Sequence, residues 1–377
     1  MRIAVLPSWT FNKKTPVAGI YMYQQAKALS DFHDVEFLFL KWGLFNKKSA
    51  FIDGNLKVVS RSGFWLPKRN MFLLSFWVEK YFLLFKERHK ASPFSIIHAH
   101  DALAGYAAYI ISVRTGIPFV VTIHNTQFLD DQIPKWREKY ISLMFKNANC
   151  VIAVGNKLFE KIKINYKLEN ITQLPNFIDG ELFKPLGVGK NDHFTFISVG
   201  SLHPNKGFDI LLEAFSLLCN QYPKESFKLI VIGDGKERRK LESFIKLTDL
   251  EENVLMPGWE NNNKLPQIFN QSHVYISSSR LETFGISPLE ALACGMPVIS
   301  TISGGPEQFV NAQNGLLVEK ENVFELKDAM DFLYHNFNNY SVDDISKNIL
   351  RKYDKKTIAP LLSDLLTNIV TENNNLS

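Results

Sequence analysis

The sequence predicts two doubly wound α/β domains, each a mostly parallel sheet with helices on both faces, facing each other across a cleft. The chain has 377 residues, which is more than one hydrophobic core normally supports. Short, continuously apolar segments alternate with helical patterns, as is typical of parallel strands covered on both faces. The alternation stops once, in the charged, glycine-containing residues 179–193, which are a candidate linker. We therefore predict one domain over residues 1–185 and a second over residues 190–355.

Each domain is built from strand-then-helix units. In the first domain, apolar runs predict strands at residues 2–6, 35–40, 56–60, 95–100, 119–124 and 151–154. Helical periodicity predicts helices at residues 21–30, 70–90 and 102–115. In the second domain, we predict strands at residues 194–199, 228–232, 254–256, 274–276 and 298–300. Helices are predicted at residues 209–220, 237–247 and 288–294, with a final amphipathic helix at residues 357–370.

Composition excludes several classes of protein. With 46% hydrophobic and 21% charged residues, the chain is neither disordered nor collagen-like. The longest stretch without charged residues, 291–306, is interrupted by Gly and Pro, so we predict no membrane-spanning helix. The N-terminus lacks the pattern of a secretory signal. Three widely spaced cysteines, Cys150, Cys219 and Cys294, predict neither a disulfide framework nor a zinc site and fit a cytoplasmic location.

Charge is distributed unevenly along the chain. Residues 1–190 contain 26 Lys and Arg against 14 Asp and Glu, a net charge of +12, whereas the rest of the chain is net negative. This asymmetry suggests an anionic partner for the first half, such as a membrane surface or a phosphorylated lipid, although the basic residues could equally solvate helices. Nucleic acid is not favoured, because no motif for it is present. Aromatic and basic residues interleave in segment 61–90, which suits an anionic membrane surface or, alternatively, a helix buried in the first domain.

Because ligands of such sheets bind beyond the carboxyl ends of the strands, polar residues and glycines there are the candidate site residues. Segment 282–290 contains two carboxylates, Glu282 and Glu290, eight positions apart. Ser287 could cap a helix that begins at Pro288, and Glu290 would then complete a capping box. That interpretation does not explain Glu282, and Gly285 would let a phosphate approach the backbone.

Three further clusters follow strands. The turn 200–207, with Lys206 at a helix entry, has the form of a diphosphate site, although a solvated turn is the alternative. His124 ends the strand at 119–124, as a catalytic or a merely structural histidine. Strand alternation places His98 and His100 on one face, but no third ligand has metal-site spacing, so no metal is predicted. Gly19 opens the first helix and could bring the backbone close to an anion.

Together these motifs resemble the retaining glycosyltransferases of family four, also called glycosyl transferases group 1, which have the GT-B fold of two Rossmann-like domains. The resemblance rests on G-S-L-x-x-x-K-G at 200–207, I-G-D-G at 232–235, P-G-W at 257–259, E-T-F-G-I-S-P-L-E at 282–290, and G-G-P-E and N-G-L-L-V at 304–307 and 314–318. Gly19, T-I-H at 122–124 and L-P-N-F-I-D at 174–179 add to it. The resemblance also implies that residues 356–377 form a helix that crosses back onto the first domain.

The resemblance implies a role for each candidate residue. A nucleotide-sugar donor would bind mainly to the second domain and a glycan or lipid-linked acceptor mainly to the first. Lys206 would bind the diphosphate, and Glu290 would bind the ribose hydroxyls. Glu282 would contact the transferred sugar, and the segment around Trp259 would border the base. The backbone of Phe284, Gly285 and Ile286 would contact the phosphate and the sugar. Gly19 would approach the diphosphate, and His124 would bind the donor sugar near the reacting carbon. Many members have Arg where this chain has Ser201, which leaves more of the leaving-group charge to Lys206.

The family's chemistry retains the anomeric configuration, uses no metal and needs no other cofactor, and the chain contains no D-x-D triplet. Assembly of cell-surface polysaccharide at the inner face of the cell membrane is the expected setting. Two other functions fit the same architecture: a sugar-binding protein without turnover, and a nucleotide-sugar epimerase. Product formation that requires an acceptor distinguishes the transferase from both.

Overall fold

The computed structural model describes residues 1–9, 19–42, 47–63, 71–130, 133–223 and 225–376. The chain divides into two compact units, one of Met1–Pro175 with Lys356–Ser377 and one of Asn176–Lys355. Each unit is a parallel-sheet α/β domain with helices on its sheet. The fold class predicted from the sequence, two doubly wound Rossmann-like domains, is therefore confirmed.

Within the described residues, the first unit contains one eight-stranded sheet. Its strands are β1 (Arg2–Pro7), β2 (Asp34–Trp42), β3 (Lys48–Asp53), β4 (Leu56–Gly63), β5 (Ile96–His100), β6 (Phe119–Ile123), β7 (Cys150–Ala153) and β8 (Ile171–Gln173). The spatial order is β3-β4-β2-β1-β5-β6-β7-β8, and all neighbours are parallel except the hairpin of β3 and β4. The order reverses between β1 and β5, which is where a sheet of this type opens a crevice for ligands.

The helices of the first unit include the last one of the chain. They are α1 (Ile20–Leu29), α2 (Met71–Ala91), α3 (Asp101–Thr115), α4 (Lys135–Asn147) and α5 (Asn156–Tyr166), and the chain ends in α12 (Lys355–Leu376). Apolar residues of α12 join the core formed by α1 and the central strands; these are Leu362, Leu366 and Ile369. His33 Nε2 also lies 2.8 Å from Ser363 Oγ. Burial of this apolar face stabilises α12 on the first unit.

In the part of the chain that the structure describes, the second unit contains a six-stranded, fully parallel sheet. Its strands are β9 (Phe194–Val199), β10 (Phe227–Ile232), β11 (Val254–Gly258), β12 (Val274–Ser277), β13 (Val298–Thr301) and β14 (Gly315–Val318), in the order β11-β10-β9-β12-β13-β14. Its helices are α6 (Phe208–Cys219), α7 (Arg238–Leu247), α8 (Leu265–Gln271), α9 (Ile286–Ala293), α10 (Val323–Asn336) and α11 (Val342–Tyr353). The order reverses between β9 and β12.

Helix α2 lies on the sheet of the first unit with one apolar face buried. Trp77, Tyr81 and Phe85 are buried, and the Tyr81 hydroxyl donates to carbonyl oxygens of β1 and β2 at 2.9 and 3.1 Å. Phe76, on the other side, is 48% exposed. The buried-helix interpretation of segment 61–90 therefore holds for one face of α2, while residues 64–70 of that segment lie outside the described residues.

Among the described residues, no helix combines the length and the hydropathy that spanning a membrane requires. Cys150, Cys219 and Cys294 are free thiols.

Candidate active site

The candidate site of the second unit lies at the reversal of strand order. The loop after β9 contains Lys206, and the loop after the neighbouring strand β12 contains Glu282. Because both strands are parallel, their carboxyl ends and these two loops lie at the same edge of the sheet. The topology thus brings together two side chains that are 76 positions apart in the sequence.

A glycine permits the two loops to pack directly on each other. Gly207 has a φ of +62°, and a Cβ built on it would lie 2.0 Å from the carbonyl oxygen of Ser278. The Ser278 hydroxyl donates to the Lys206 carbonyl oxygen at 3.0 Å, and the Arg280 N–H donates to the Asn205 carbonyl oxygen at 2.8 Å. These contacts fix the backbone of Lys206 and therefore the position from which its side chain extends.

Lys206 and Glu282 form an ion pair. Lys206 Nζ lies 2.5 Å from Glu282 Oε2, and the two side chains are 32% and 14% exposed. The pair is therefore within reach of solvent or of a ligand. Arg280, three residues after the end of β12, forms a bidentate ion pair with Asp209 at 2.9 and 3.0 Å, which links this loop to the first turn of α6. Sequence reasoning did not single out Arg280 or Ser278, because their role depends on the neighbouring loop.

Glu290 is buried in α9, close to the start of the helix. Burial raises the pKa of its carboxyl group to about 8, and this carboxyl group has no hydrogen-bond or ion-pair partner among the described residues. The capping-box interpretation of Ser287 and Glu290 is wrong: the helix begins at Ile286, its cap is Gly285 with a φ of +94°, and no side chain caps it. Since the left-handed turn at Gly285 starts the helix two residues earlier, Ser287 lies inside the first turn.

The first peptide groups of α9 are a candidate anion site. Helix N-termini present unpaired N–H groups, and those of α9 belong to Ile286 and Ser287, since Pro288 has no N–H and the Leu289 N–H donates to the Gly285 carbonyl oxygen. Gly305 lies against Phe284, because a Cβ on Gly305 would be 2.6 Å from the Phe284 backbone. The loop after β13 thus packs on the segment that enters α9.

A third loop completes the edge of the second sheet. Gly233, with a φ of +142°, would place a Cβ 1.8 Å from the Gly200 carbonyl oxygen, so the loops after β9 and β10 are in close contact. Its N–H donates to the Gly258 carbonyl oxygen at 2.8 Å, directly before Trp259. Trp259 is half-buried and Ser201 is exposed. The predicted donor-binding residues of the second unit therefore all lie near the carboxyl edge of one sheet. They belong either to loops at this edge or to helix α9, which starts there.

The first unit has its own cluster at the reversal of strand order. Gly19 has a φ of +73° and precedes α1, and a Cβ on it would be 2.8 Å from the Trp9 carbonyl oxygen. Tyr21 of α1 lies against His124, with ring centroids 4.6 Å apart. Gly19 and His124 thus both lie by the start of α1, whereas residues 16–18 are outside the described residues.

His124 belongs to a group of buried histidines. His98 and His100 lie on the same face of β5, as predicted, with ring centroids 4.4 Å apart. His100 Nδ1 lies 3.1 Å from His124 Nε2. Burial lowers the pKa of His98 to about 4 and that of His124 to about 3, so the rings are neutral near pH 7. Within the described residues, no group of three His, Cys, Asp or Glu side chains is arranged to hold a metal ion.

Two family models match consecutive parts of the chain. Residues 18–182 match the model described as Glycosyltransferase Family 4, and residues 181–352 match the model described as Glycosyl transferases group 1. The GPI3 subunit of phosphatidylinositol N-acetylglucosaminyltransferase from Saccharomyces cerevisiae is 25% identical over 287 residues, which cover 73% of this chain and 63% of that protein. The chain thus spans less than two thirds of the length of this curated relative.

Solved structures show the same fold. Sucrose-phosphate synthase from Thermosynechococcus elongatus superimposes with a TM-score of 0.84 at 20% identity, over 98% of this chain and 99% of that chain. Anabaena HepE in complex with UDP-glucose superimposes with a TM-score of 0.74 at 19% identity, over 98% and 100% of the two chains. At this level of identity the likeness shows the fold.

Proposed function

Since the chain belongs to the GT-B glycosyltransferases of family four, we propose that it transfers a sugar from a nucleotide-sugar donor to a hydroxyl group of a glycan or lipid-linked acceptor, with retention of configuration and without a metal. The observation that supports this most directly is the Lys206–Glu282 pair, 2.5 Å apart at the reversal of strand order. One side chain suits a diphosphate, and the other suits sugar hydroxyl groups. The related structure that contains UDP-glucose makes a uridine diphosphate sugar the first donor to test.

The donor would use the second unit as follows. Lys206 and the N–H groups of Phe284, Gly285 and Ile286 would bind the diphosphate, and the Ser201 hydroxyl would add a neutral donor. The buried Glu290 carboxyl group, once ionised, would accept hydrogen bonds from the ribose hydroxyls. Glu282 would turn from Lys206 to the transferred sugar, while Trp259 would border the base. From the first unit, Gly19 would present its backbone to the diphosphate and His124 would bind the sugar.

The chemistry follows from where charge develops. The bond between the anomeric carbon and the phosphate oxygen breaks, which leaves negative charge on the diphosphate and positive character on the sugar ring. Lys206 and the helix N-terminus stabilise the diphosphate. A new bond forms between the anomeric carbon and the acceptor oxygen on the same face, and the acceptor proton passes to the leaving phosphate oxygen. No protein nucleophile is required in this scheme.

The test is the Lys206→Ala variant. Because one cationic contact to a leaving group contributes about 3 kcal/mol, we expect the rate of transfer from UDP-glucose or UDP-N-acetylglucosamine to fall by roughly 100-fold or more. Lys228→Ala is the matched control, since Lys228 Nζ donates to the Glu252 carbonyl oxygen at 2.8 Å near the amino end of the sheet. Near-normal turnover by Lys206→Ala would contradict the assignment. Conversion of the nucleotide sugar to its epimer without an acceptor would favour an epimerase.

We propose further that the first unit contacts an anionic membrane surface, with assembly of cell-surface polysaccharide or glycolipid as the setting. Phe76 of α2 and Ile52 of β3 are exposed by 48% and 74%, and Lys48 of β3 pairs with Glu87 of α2, so the two elements share one surface. Flotation with vesicles of phosphatidylcholine, alone or with phosphatidylglycerol, tests this. We expect binding only with the anionic lipid and its loss in Phe76→Ser. Full recovery in the unbound fraction with both vesicles would contradict the proposal.

A further inference from the structure

Two side chains at the junction of β5 and α3, His100 and Asp101, contact the segment that contains His124. No sequence motif gave either of them a role. His100 is fully buried, and its Nδ1 lies 3.1 Å from His124 Nε2, with the two rings stacked at an angle of 19°. Asp101 follows directly and is 1% exposed. Its Oδ1 accepts hydrogen bonds from the backbone N–H groups of His124 and Asn125 at 2.9 and 3.0 Å. One dipeptide therefore contacts both the ring and the backbone of His124.

The backbone of Asp101 is held in an unusual conformation. Its φ is +64°, a region that non-glycine residues other than Asn and Asp seldom adopt. Hydrogen bonds also fix the backbone on both sides of Asp101. The Ser8 hydroxyl donates to the His100 carbonyl oxygen at 2.7 Å and accepts from the Ala104 N–H at 2.9 Å. A backbone conformation of this kind costs free energy and persists only where the surroundings determine it, often at functional sites.

We propose that His100 and Asp101 are positioning residues for His124: the Asp101 carboxylate fixes the place of its backbone, and the His100 ring fixes which of its ring nitrogens bears the proton. The proposal rests on the role of His124 in the proposed function. It concerns residues that act through His124 and does not require them to contact the sugar.

The tautomer follows from the single short contact between the two rings. Both imidazoles are neutral, because burial lowers the pKa of each. One proton must therefore lie between His100 Nδ1 and His124 Nε2. If His124 is to donate a hydrogen bond to a sugar, the donor must be its Nδ1–H, since Nε2 faces His100. This requires that His100 Nδ1–H donates to His124 Nε2, which selects for His124 the tautomer that a free histidine disfavours.

The first test reads the tautomer directly in the ligand-free protein. Histidine-selective ¹⁵N labelling with long-range ¹H–¹⁵N correlation spectra identifies the protonated nitrogen, and His124→Gln assigns the signals. We expect wild type to show His124 protonated at Nδ1 and His100→Phe to shift the proton to Nε2. His98→Phe is the matched control, because His98 is equally buried but bonds Thr122 Oγ1 at 2.8 Å; it should leave His124 unchanged. Nδ1 protonation that persists in a folded His100→Phe variant, or its absence in wild type, would overturn the proposal.

The second test separates positioning from stability by comparing two variants of Asp101. Asp101→Asn keeps an oxygen acceptor and tolerates the positive φ, so its kcat should stay within about threefold of wild type. Asp101→Ala removes the acceptor and should lower kcat at least about tenfold with UDP-glucose, while KM for the donor stays within about twofold. Equal damage in two folded variants, or full activity of Asp101→Ala, would refute the role of Asp101. If wild type turns over no nucleotide sugar, the proposed function fails, and the spectra still decide the part played by His100.

Discussion

Replacing Glu290 with Gln should make the ligand-free protein more stable and the nucleotide complex weaker. Burial raises the pKa of Glu290 from 4.5 to about 8. A folded-state pKa above the unfolded one means that stability is greatest below pH 4.5 and is lost as the pH rises to about 8. At 1.36 kcal/mol per pKa unit, the loss is about 3 kcal/mol at pH 7 and about 4 kcal/mol at pH 8. Glu290→Gln removes this cost, because the amide stays neutral at every pH.

Thermal unfolding at pH 5, 7 and 8 measures the effect. The melting temperature of Glu290→Gln should exceed that of wild type by a margin that grows with pH, whereas Glu251→Gln, at an exposed position of the same unit, should show no such trend. Calorimetry with UDP supplies the second readout: if ribose hydroxyls bind the carboxylate form, wild-type affinity should rise by roughly 50-fold between pH 6 and pH 8, with proton release. A stability difference that is the same at all three pH values would refute the reasoning about burial.

Three other predictions concern single contacts. Glu36 is buried, and hydrogen bonds from Arg88, Arg2 and Lys57 outweigh its desolvation and lower its pKa to about 2. Glu36→Gln should therefore cost about 3 kcal/mol at pH 7, a loss that denaturant titrations should show shrinking as the pH falls from 4.5 towards 2. Gly207→Ala should destabilise the second unit by more than about 1 kcal/mol and weaken UDP binding, as measured by thermal shift with and without UDP. Glu282→Gln frees Lys206, so calorimetry should show UDP binding about fivefold tighter while transfer falls.

The fold was predictable at most of the strands that form buried, largely apolar runs. The strand at 194–199 was predicted with the bounds that β9 has. Strands β1 and β12 end one residue later than predicted, and β5 begins one residue later. The edge strand β3 was missed because nearly all its residues are exposed, so no apolar run marks it. Helices α4 and α5 were missed as well, since their many lysines hide a narrow buried face that only contact with the sheet defines.

The candidate site was predictable in its residue types and not in its pairings. Glycine spacing indicated turns at Gly207 and Gly285, and both glycines adopt a positive φ. Ser287 was a candidate cap for α9 in the sequence. The helix nevertheless begins earlier, at Ile286, because Gly285 adopts a left-handed conformation and occupies the cap position. Nothing in the sequence indicated that His100 contacts His124, because that contact depends on the register between β5 and β6.

The proposed roles of Lys206 and Glu282 have a consequence for which ligand the site would bind more tightly. The cation that would bind the diphosphate lies 2.5 Å from the carboxylate that would bind the sugar. A free nucleoside diphosphate would have to compete with Glu282 for Lys206, whereas a nucleotide sugar would also offer hydroxyl groups that Glu282 could bind once it leaves the lysine. The intact donor would therefore give both side chains a partner, and the free diphosphate would give a partner to Lys206 alone. Because Ser201 supplies no second cation, the diphosphate would depend on this single pair, which would favour binding of the intact donor and release of the spent diphosphate.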